Sequence, residues 1–222
     1  IWGIAIEAGI LENPMLEPPE EAYVMTKAYD KTPKNPRYLE IGFEKGVPVR
    51  LDGKRMPLVA MIEKLNEIAG EYGVGRFDMI ENRLVGIKSR EVYEAPAADV
   101  LLKAHEELEG FVMDREFLHY KRVLSEKYSE LVYFGLWFTP LKEALDSFFA
   151  SNQSRVTGKV RIKLDRGHAL CVGRESKFAL YHEKLATYSE GDIFDRKAAT
   201  GFMKIWGLPY EGMYQKQRGR KA

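Results

Sequence analysis

The sequence predicts an α+β fold: a mainly antiparallel sheet with packed helices, followed by a C-terminal tail. Two observations carry this reading. Segments in which apolar residues recur at every second position come in pairs joined by short glycine-containing turns, as hairpins do. Stretches of helical periodicity fall in blocks between those pairs, whereas regular alternation of strand and helix would indicate a parallel sheet. A third observation sets the scale: 222 residues, 45% hydrophobic and 30% charged, suit a globular core and exclude collagen-like or wholly disordered chains. No apolar run approaches the ~20 residues of a membrane-spanning helix.

The chain opens at Ile1 on an apolar stretch that predicts a short strand around Ile4 to Ile6. It has neither an initiator methionine nor a basic leader region, so it reads as a piece of something longer without a recognisable signal peptide. Pro14, Pro18, Pro19, Pro33 and Pro36 then interrupt every helical pattern and predict an extended surface segment. Leu39, Ile41 and Phe43 alternate with other residues, Lys45-Gly46 supplies a turn, and Val47, Val49 and Leu51 alternate again up to Asp52-Gly53, which together describe a β-hairpin. Leu58, Met61, Ile62, Leu65, Ile68 and Ala69 recur at helical spacing before Gly70 and Gly73, where a helix would stop. A second strand pair is expected over Arg76 to Ile80 and Leu84 to Lys88. Three helices follow, about Ala97 to Gly110, Asp114 to Phe134 and Pro140 to Asn152, the last opened by Thr139 as N-cap with Pro140 at the first helical position. Val156, Val160, Ile162 and Leu164 mark an alternating strand that Asp165-Arg166-Gly167 turns into the apolar run Ala169 to Val172. A final helix near Arg196 to Trp206 leads into a polar tail, which divides the chain into a domain over 1–206 and a tail over 207–222.

Charge is nearly balanced, 34 basic against 33 acidic residues. Lys216, Arg218, Arg220 and Lys221 follow the last acid, Glu211, so the 34 basic residues less these four leave 30 against 33 before them. That balance argues against a nucleic-acid groove, and the tail reads as a solvated end. The lone Cys171 cannot form an internal disulfide, and the four histidines lack metal-ligand spacing. Cytoplasmic residence without a metal site follows as the expectation. Cys171 reads as an inert core thiol, His105 as a packing or capping residue, and the Tyr133 to Phe138 aromatic cluster as core or subunit interface.

The densest collection of groups able to do chemistry lies between Gly73 and Pro96. Arg76, Asp78, Glu81, Asn82, Arg83, Lys88, Ser89, Arg90, Tyr93 and Glu94 are set there among three glycines, which permit close backbone approach. Such a segment suits a zwitterionic ligand, a carboxylate pairing with its ammonium group and Arg or Ser donors holding its carboxylate. A solvated hairpin edge carrying surface ion pairs fits the same spacing. Gly73-Val-Gly75 is too short for a phosphate-binding loop, and no Walker-type Gly-Lys-Ser/Thr occurs.

The run Gly-Val-Gly-Arg-Phe-Asp-Met-Ile-Glu-Asn-Arg-Leu-Val-Gly-Ile-Lys-Ser-Arg-Glu-Val-Tyr-Glu from Gly73 to Glu94 strongly resembles argininosuccinate synthase. Glu7-Ala-Gly-Ile-Leu-Glu-Asn-Pro14, Glu40 to Pro48, Leu131 to Phe138, Arg155-Val-Thr-Gly158 and Gly201 to Pro209 agree in the same order. The resemblance covers the C-terminal half of that family. It implies an enzyme that condenses citrulline and aspartate with ATP, used with magnesium, to argininosuccinate, AMP and pyrophosphate. It further implies that Glu81 and Tyr93, twelve residues apart, contact citrulline, with Arg76, Asp78, Asn82 and Arg83 beside or behind them, and that no residue of this half is the nucleophile. Ala5 stands where the family usually carries a citrulline-binding serine. Losing one hydrogen bond to a charged group costs roughly 1.5–3 kcal/mol, so binding ~10–100-fold weaker is expected on that basis. The resemblance also implies a homotetramer in which the C-terminal segment reaches neighbouring subunits. The Ser-Gly-Gly pyrophosphate loop of the family's N-terminal half is missing here, so this chain alone is expected to bind no ATP and to be inactive. The alternative is a non-catalytic assembly or binding module of the same fold.

Overall fold

The first alternating hairpin forms strands β2 (Arg37–Glu44) and β3 (Val47–Leu51). The computed structural model describes residues 1–186 and 195–219. Strand β4 (Lys54–Arg55), β3, β2, β7 (Gly158–Asp165) and β8 (His168–Glu175) lie in that order in a five-stranded sheet, every pair antiparallel. Leu39 faces Ile162 and Ile41 faces Val160 across β2 and β7. These apolar rows join Met61 and Leu65 of helix α1 (Leu58–Glu71) and Val100, Ala104 and Leu108 of α2 (Pro96–Val112) in one buried core. Each large aliphatic side chain so buried contributes roughly 1.5–3 kcal/mol. A bulge between Gly42 and Phe43 breaks the alternation of β3, leaving Val47 exposed while Leu51 is buried. His105 packs as expected, its ring centroid 5.7 Å from that of Phe43 in an edge-on arrangement. Cys171 packs partly buried against the same core, and burial pushes its thiol pKa up.

A second, three-stranded sheet carries β1 (Ile4–Ile6), β6 (Lys88–Glu94) and β5 (Arg76–Asn82), with β6 in the centre. The expected strand over Leu84 to Lys88 is displaced: the Arg83 amide donates to the Ile87 carbonyl at 3.0 Å, and Gly86 takes φ +82°. Those residues form the turn, and pairing resumes at Lys88 with Asn82. At the other end, Gly75 has φ +99°, and a Cβ there would lie 2.6 Å from the Pro96 nitrogen. Glycine is therefore required where β5 starts beside the first turn of α2.

Helix α3 (Arg115–Tyr133) is capped by Asp114, which accepts from the Phe117 amide, and α4 (Pro140–Gln153) by Thr139, which accepts from that of Lys142. The two helices pack through Phe117 and Phe148, whose ring centroids stack at 4.9 Å. Tyr133, Trp137 and Phe138 are exposed, which corrects the core reading of that cluster: Tyr133 is the last residue of α3, and Trp137 and Phe138 lie in the connection between α3 and α4. A separate unit begins at Tyr181 and holds α5 (Glu183–Ala186) and α6 (Arg196–Gly219). The helix expected to end near Trp206 continues through Pro209 to Gly219, because apolar residues at Phe202, Trp206, Tyr210 and Met213 keep helical spacing. Arg220 and Lys221 lie outside the described residues. Among the described residues, no helix is long and apolar enough to cross a membrane.

Candidate functional site

Strands β5 and β6 pair without interruption from Arg76 opposite Glu94 to Asn82 opposite Lys88. Because successive side chains leave opposite faces of a strand, this register sorts the candidate residues into two sets. Arg76, Asp78, Asn82, Arg90 and Glu94 belong to one face. Ala5, Phe77, Met79, Glu81, Ser89, Glu91 and Tyr93 belong to the other, with Ala5 and Phe77 both in register with Tyr93.

The first face is covered by the proline-rich segment. Glu94 is fully buried, and its carboxylate accepts from the amides of Val24, Met25 and Thr26 at 2.8–3.0 Å and from the Thr26 hydroxyl at 2.6 Å. Arg76 donates to the Thr26 hydroxyl and to the Glu20 carboxylate at 2.7–3.0 Å, and the Tyr23 ring lies 3.7 Å from its guanidinium carbon. Arg90 donates to the Asp78 carboxylate at 2.9 Å and to the carbonyls of Asn13 and Leu16 at 2.9 and 2.7 Å. That bond from Arg90 holds the Asp78 carboxyl below its ordinary range. Asn82 accepts from Lys88 at the hairpin end. Arg76 and Asp78 therefore fasten the N-terminal segment to the sheet and stand apart from Glu81 and Tyr93.

The second face is open. The Tyr93 hydroxyl lies 3.4 Å from Glu81 Oε1, within the long end of hydrogen-bond range, and burial with the nearby Glu81 charge pushes the phenol pKa up. Arg83 follows β5 and donates from Nε to the Ser89 hydroxyl at 2.8 Å and from Nη2 to Glu91 Oε1 at 2.7 Å. Burial pushes the Glu91 carboxyl up, but the bonds from Ser89 and Arg83 outweigh it and hold the group below its ordinary value. Arg83 also stands 3.9 Å from Glu81 and 3.6 Å from Glu7. Three carboxylates thus share one guanidinium.

Two depressions border this patch. One, about 750 Å³, is lined by Trp2, Ala5, Phe77, Met79, Tyr93 and Leu102 among others. The other, about 700 Å³, runs from Glu81 and Met79 to Tyr133 and Phe134 at the end of α3. Tyr133 reaches the site from the C-terminus of α3 and lines the same depression as Glu81; desolvation, then the nearby charge of Glu81, push its phenol up. Sequence reasoning missed Glu91 and Tyr133. Two-residue alternation places Glu91 on the face of Tyr93 and could have found it, whereas nothing local links Tyr133 to residues 40 positions and more before it. The same arrangement leaves little to hold a ligand carboxylate, since the Arg83 and Ser89 donors are engaged by Glu91.

Among the described residues, no three His, Cys, Asp or Glu side chains group so as to hold a metal ion. The buried side-chain oxygen left without a partner there is Oε2 of Glu91, an acceptor that repels phosphate.

Residues 1–213 match the family model described as "Arginosuccinate synthase C-terminal domain". The chain is 55% identical over 222 residues to the argininosuccinate synthase of Synechococcus sp. strain JA-3-3Ab, covering 100% of this chain and 55% of that protein. It is 56% identical over 219 residues to the Synechocystis sp. argininosuccinate synthase, covering 99% and 55%, and 53% identical over 224 to that of Bacillus licheniformis, covering 100% and 56%. The chain spans about half the length of the relatives it matches.

Proposed function

The chain belongs to the argininosuccinate synthase family through its C-terminal domain, and from that premise we propose that it supplies the citrulline-holding half of that ligase. The complete enzyme condenses citrulline with aspartate at the expense of ATP. The observation that carries the reading is the convergence of Glu81 and Tyr93 on the open face of the three-stranded sheet. An anionic patch beside exposed Phe77 and Met79 suits an amino acid with an ammonium group and an apolar stem. Glu81 would accept from the ammonium. Tyr93 would hold the Glu81 carboxylate in place from one side and offer its oxygen to the ligand.

ATP does not fit here, since three carboxylates around one guanidinium repel its polyphosphate, and magnesium would come with that nucleotide. No phosphate-binding loop accompanies them. ATP is therefore assigned to the family's other half, and this chain by itself should release no pyrophosphate. The ligand carboxylate is assigned to that half as well. Exposed Phe202, Trp206, Tyr210 and Met213 on α6 support a subunit-contacting role for the C-terminal segment in a cytoplasmic homotetramer.

The second reading, a non-catalytic module, draws on Ala5, which places a methyl group opposite Tyr93 where the family usually has a hydroxyl. The two are separated in the complete enzyme by citrulline-dependent pyrophosphate release. The ligase reading expects turnover, with Glu81→Ala and Tyr93→Phe raising the KM for citrulline. Absence of turnover despite an intact N-terminal half would favour the module.

A further inference from the structure

The open face contains a buried carboxylate that the binding role just proposed does not use. Glu91 is 2% exposed, and burying an anion is unfavourable unless it is paired. Its partner Arg83 is tied at several points: Nη2 to Glu91 Oε1 at 2.7 Å, Nε to the Ser89 hydroxyl at 2.8 Å, and its own amide to the Ile87 carbonyl at 3.0 Å. The Ser89 hydroxyl in turn donates to the same Glu91 oxygen at 2.8 Å. A side chain 42% exposed would otherwise sample many rotamers, and this one is fixed at both ends.

The fixed guanidinium stands 3.9 Å from Glu81 Oε2 and 3.6 Å from Glu7 Oε2, too far for hydrogen bonds yet close enough to attract both carboxylates. Their lone pairs are thus oriented by Arg83 but not consumed by it. The contrast with Glu94 on the other face is direct, because the Glu94 carboxylate is saturated by backbone amides. We propose that Arg83 is a positioning residue: clamped by Ser89 and buried Glu91, it holds Glu81 and Glu7 turned toward one incoming ammonium group. This rests on Glu81 being the citrulline contact.

The test is a double-mutant cycle in the complete enzyme, read by calorimetric titration with citrulline, with melting temperatures recorded for each variant. Losing a hydrogen bond to a charged group weakens binding ~10–100-fold, so Glu81→Gln is expected near ~30-fold and Arg83→Met near ~10-fold. If Arg83 acts chiefly through Glu81, the double variant binds no more than about twofold worse than Glu81→Gln alone, the share left to Glu7, a non-additivity that a general structural role does not produce. Losses that multiply, or an Arg83→Met affinity equal to wild type while Glu81→Gln is impaired, would overturn the positioning role alone. An unimpaired Glu81→Gln would overturn the citrulline reading and this proposal together. Should Arg83→Met fail to fold, the same cycle with Arg83→Lys, which keeps the charge and loses the fork, is expected to show the same non-additivity, and multiplying losses there would equally overturn it.

Discussion

The two faces of the three-stranded sheet are built from the same strands, yet they treat charge in opposite ways. On one, Arg76, Arg90 and Glu94 are spent on backbone groups of the proline-rich segment. On the other, Glu7, Glu81 and Glu91 gather around Arg83 alone, and Phe77 and Met79 remain exposed. A polar residue whose capacity is satisfied inside the fold holds the fold together. One whose capacity is left over beside an open groove is available to a ligand. The difference between neighbouring positions such as Arg90 and Glu91 is therefore one of pleat, not of residue type.

The largest expected effect lies on the covered face. Glu94→Ala removes the acceptor of three amides and a hydroxyl, each worth roughly 1–3 kcal/mol when orphaned in a buried setting, so denaturant unfolding should show a loss of at least about 3 kcal/mol. A loss below about 1 kcal/mol would mean that the proline-rich segment is not fastened there. On the open face, the Glu91 carboxyl lies below its ordinary value, so its ionised form contributes stability that is complete above the unfolded pKa of about 4.3. That contribution disappears as pH falls through the lower folded value. Glu91→Gln should consequently flatten the stability profile below about pH 4.5, and a parallel profile would show that Glu91 is not paired as described. The smallest effect is expected at the groove's edge. Ala5→Ser restores a hydroxyl opposite Tyr93 and should tighten citrulline binding by about 10-fold, the lower end of what a hydrogen bond to a charged group is worth. Weaker binding by that variant would remove Ala5 from the account.

Most of the fold was legible because periodicity records burial. Leu39, Ile41 and Phe43, and the row Val160, Ile162 and Leu164, alternate in sequence and are buried together. The hairpin carrying the site was harder: Leu84, Val85 and Ile87 have strand-forming side chains, but they occupy an exposed turn, where tertiary context overrides propensity. Helix α6 is longer than the stretch expected from Arg196 to Trp206, because the apolar spacing runs on through Pro209. At the candidate site, the motif that contains Glu81 and Tyr93 singles them out, and the structure brings the two within 3.4 Å. The division of Arg76 and Asp78 from Glu81 follows from the register of β5 and β6, and the local polar clustering of residues 76–94 concealed it. Tyr133 depends on how α3 packs, a long-range outcome with no short-range trace.

Asp78 and Glu81 lie three residues apart on one strand and on opposite faces, which makes them a matched pair. Calorimetric titration of citrulline into the complete enzyme, wild type against Asp78→Asn and Glu81→Gln, separates the two faces. A ~30-fold weaker affinity is expected for Glu81→Gln and an affinity within twofold of wild type for Asp78→Asn. Equal losses at both positions, or none at Glu81, would contradict that separation.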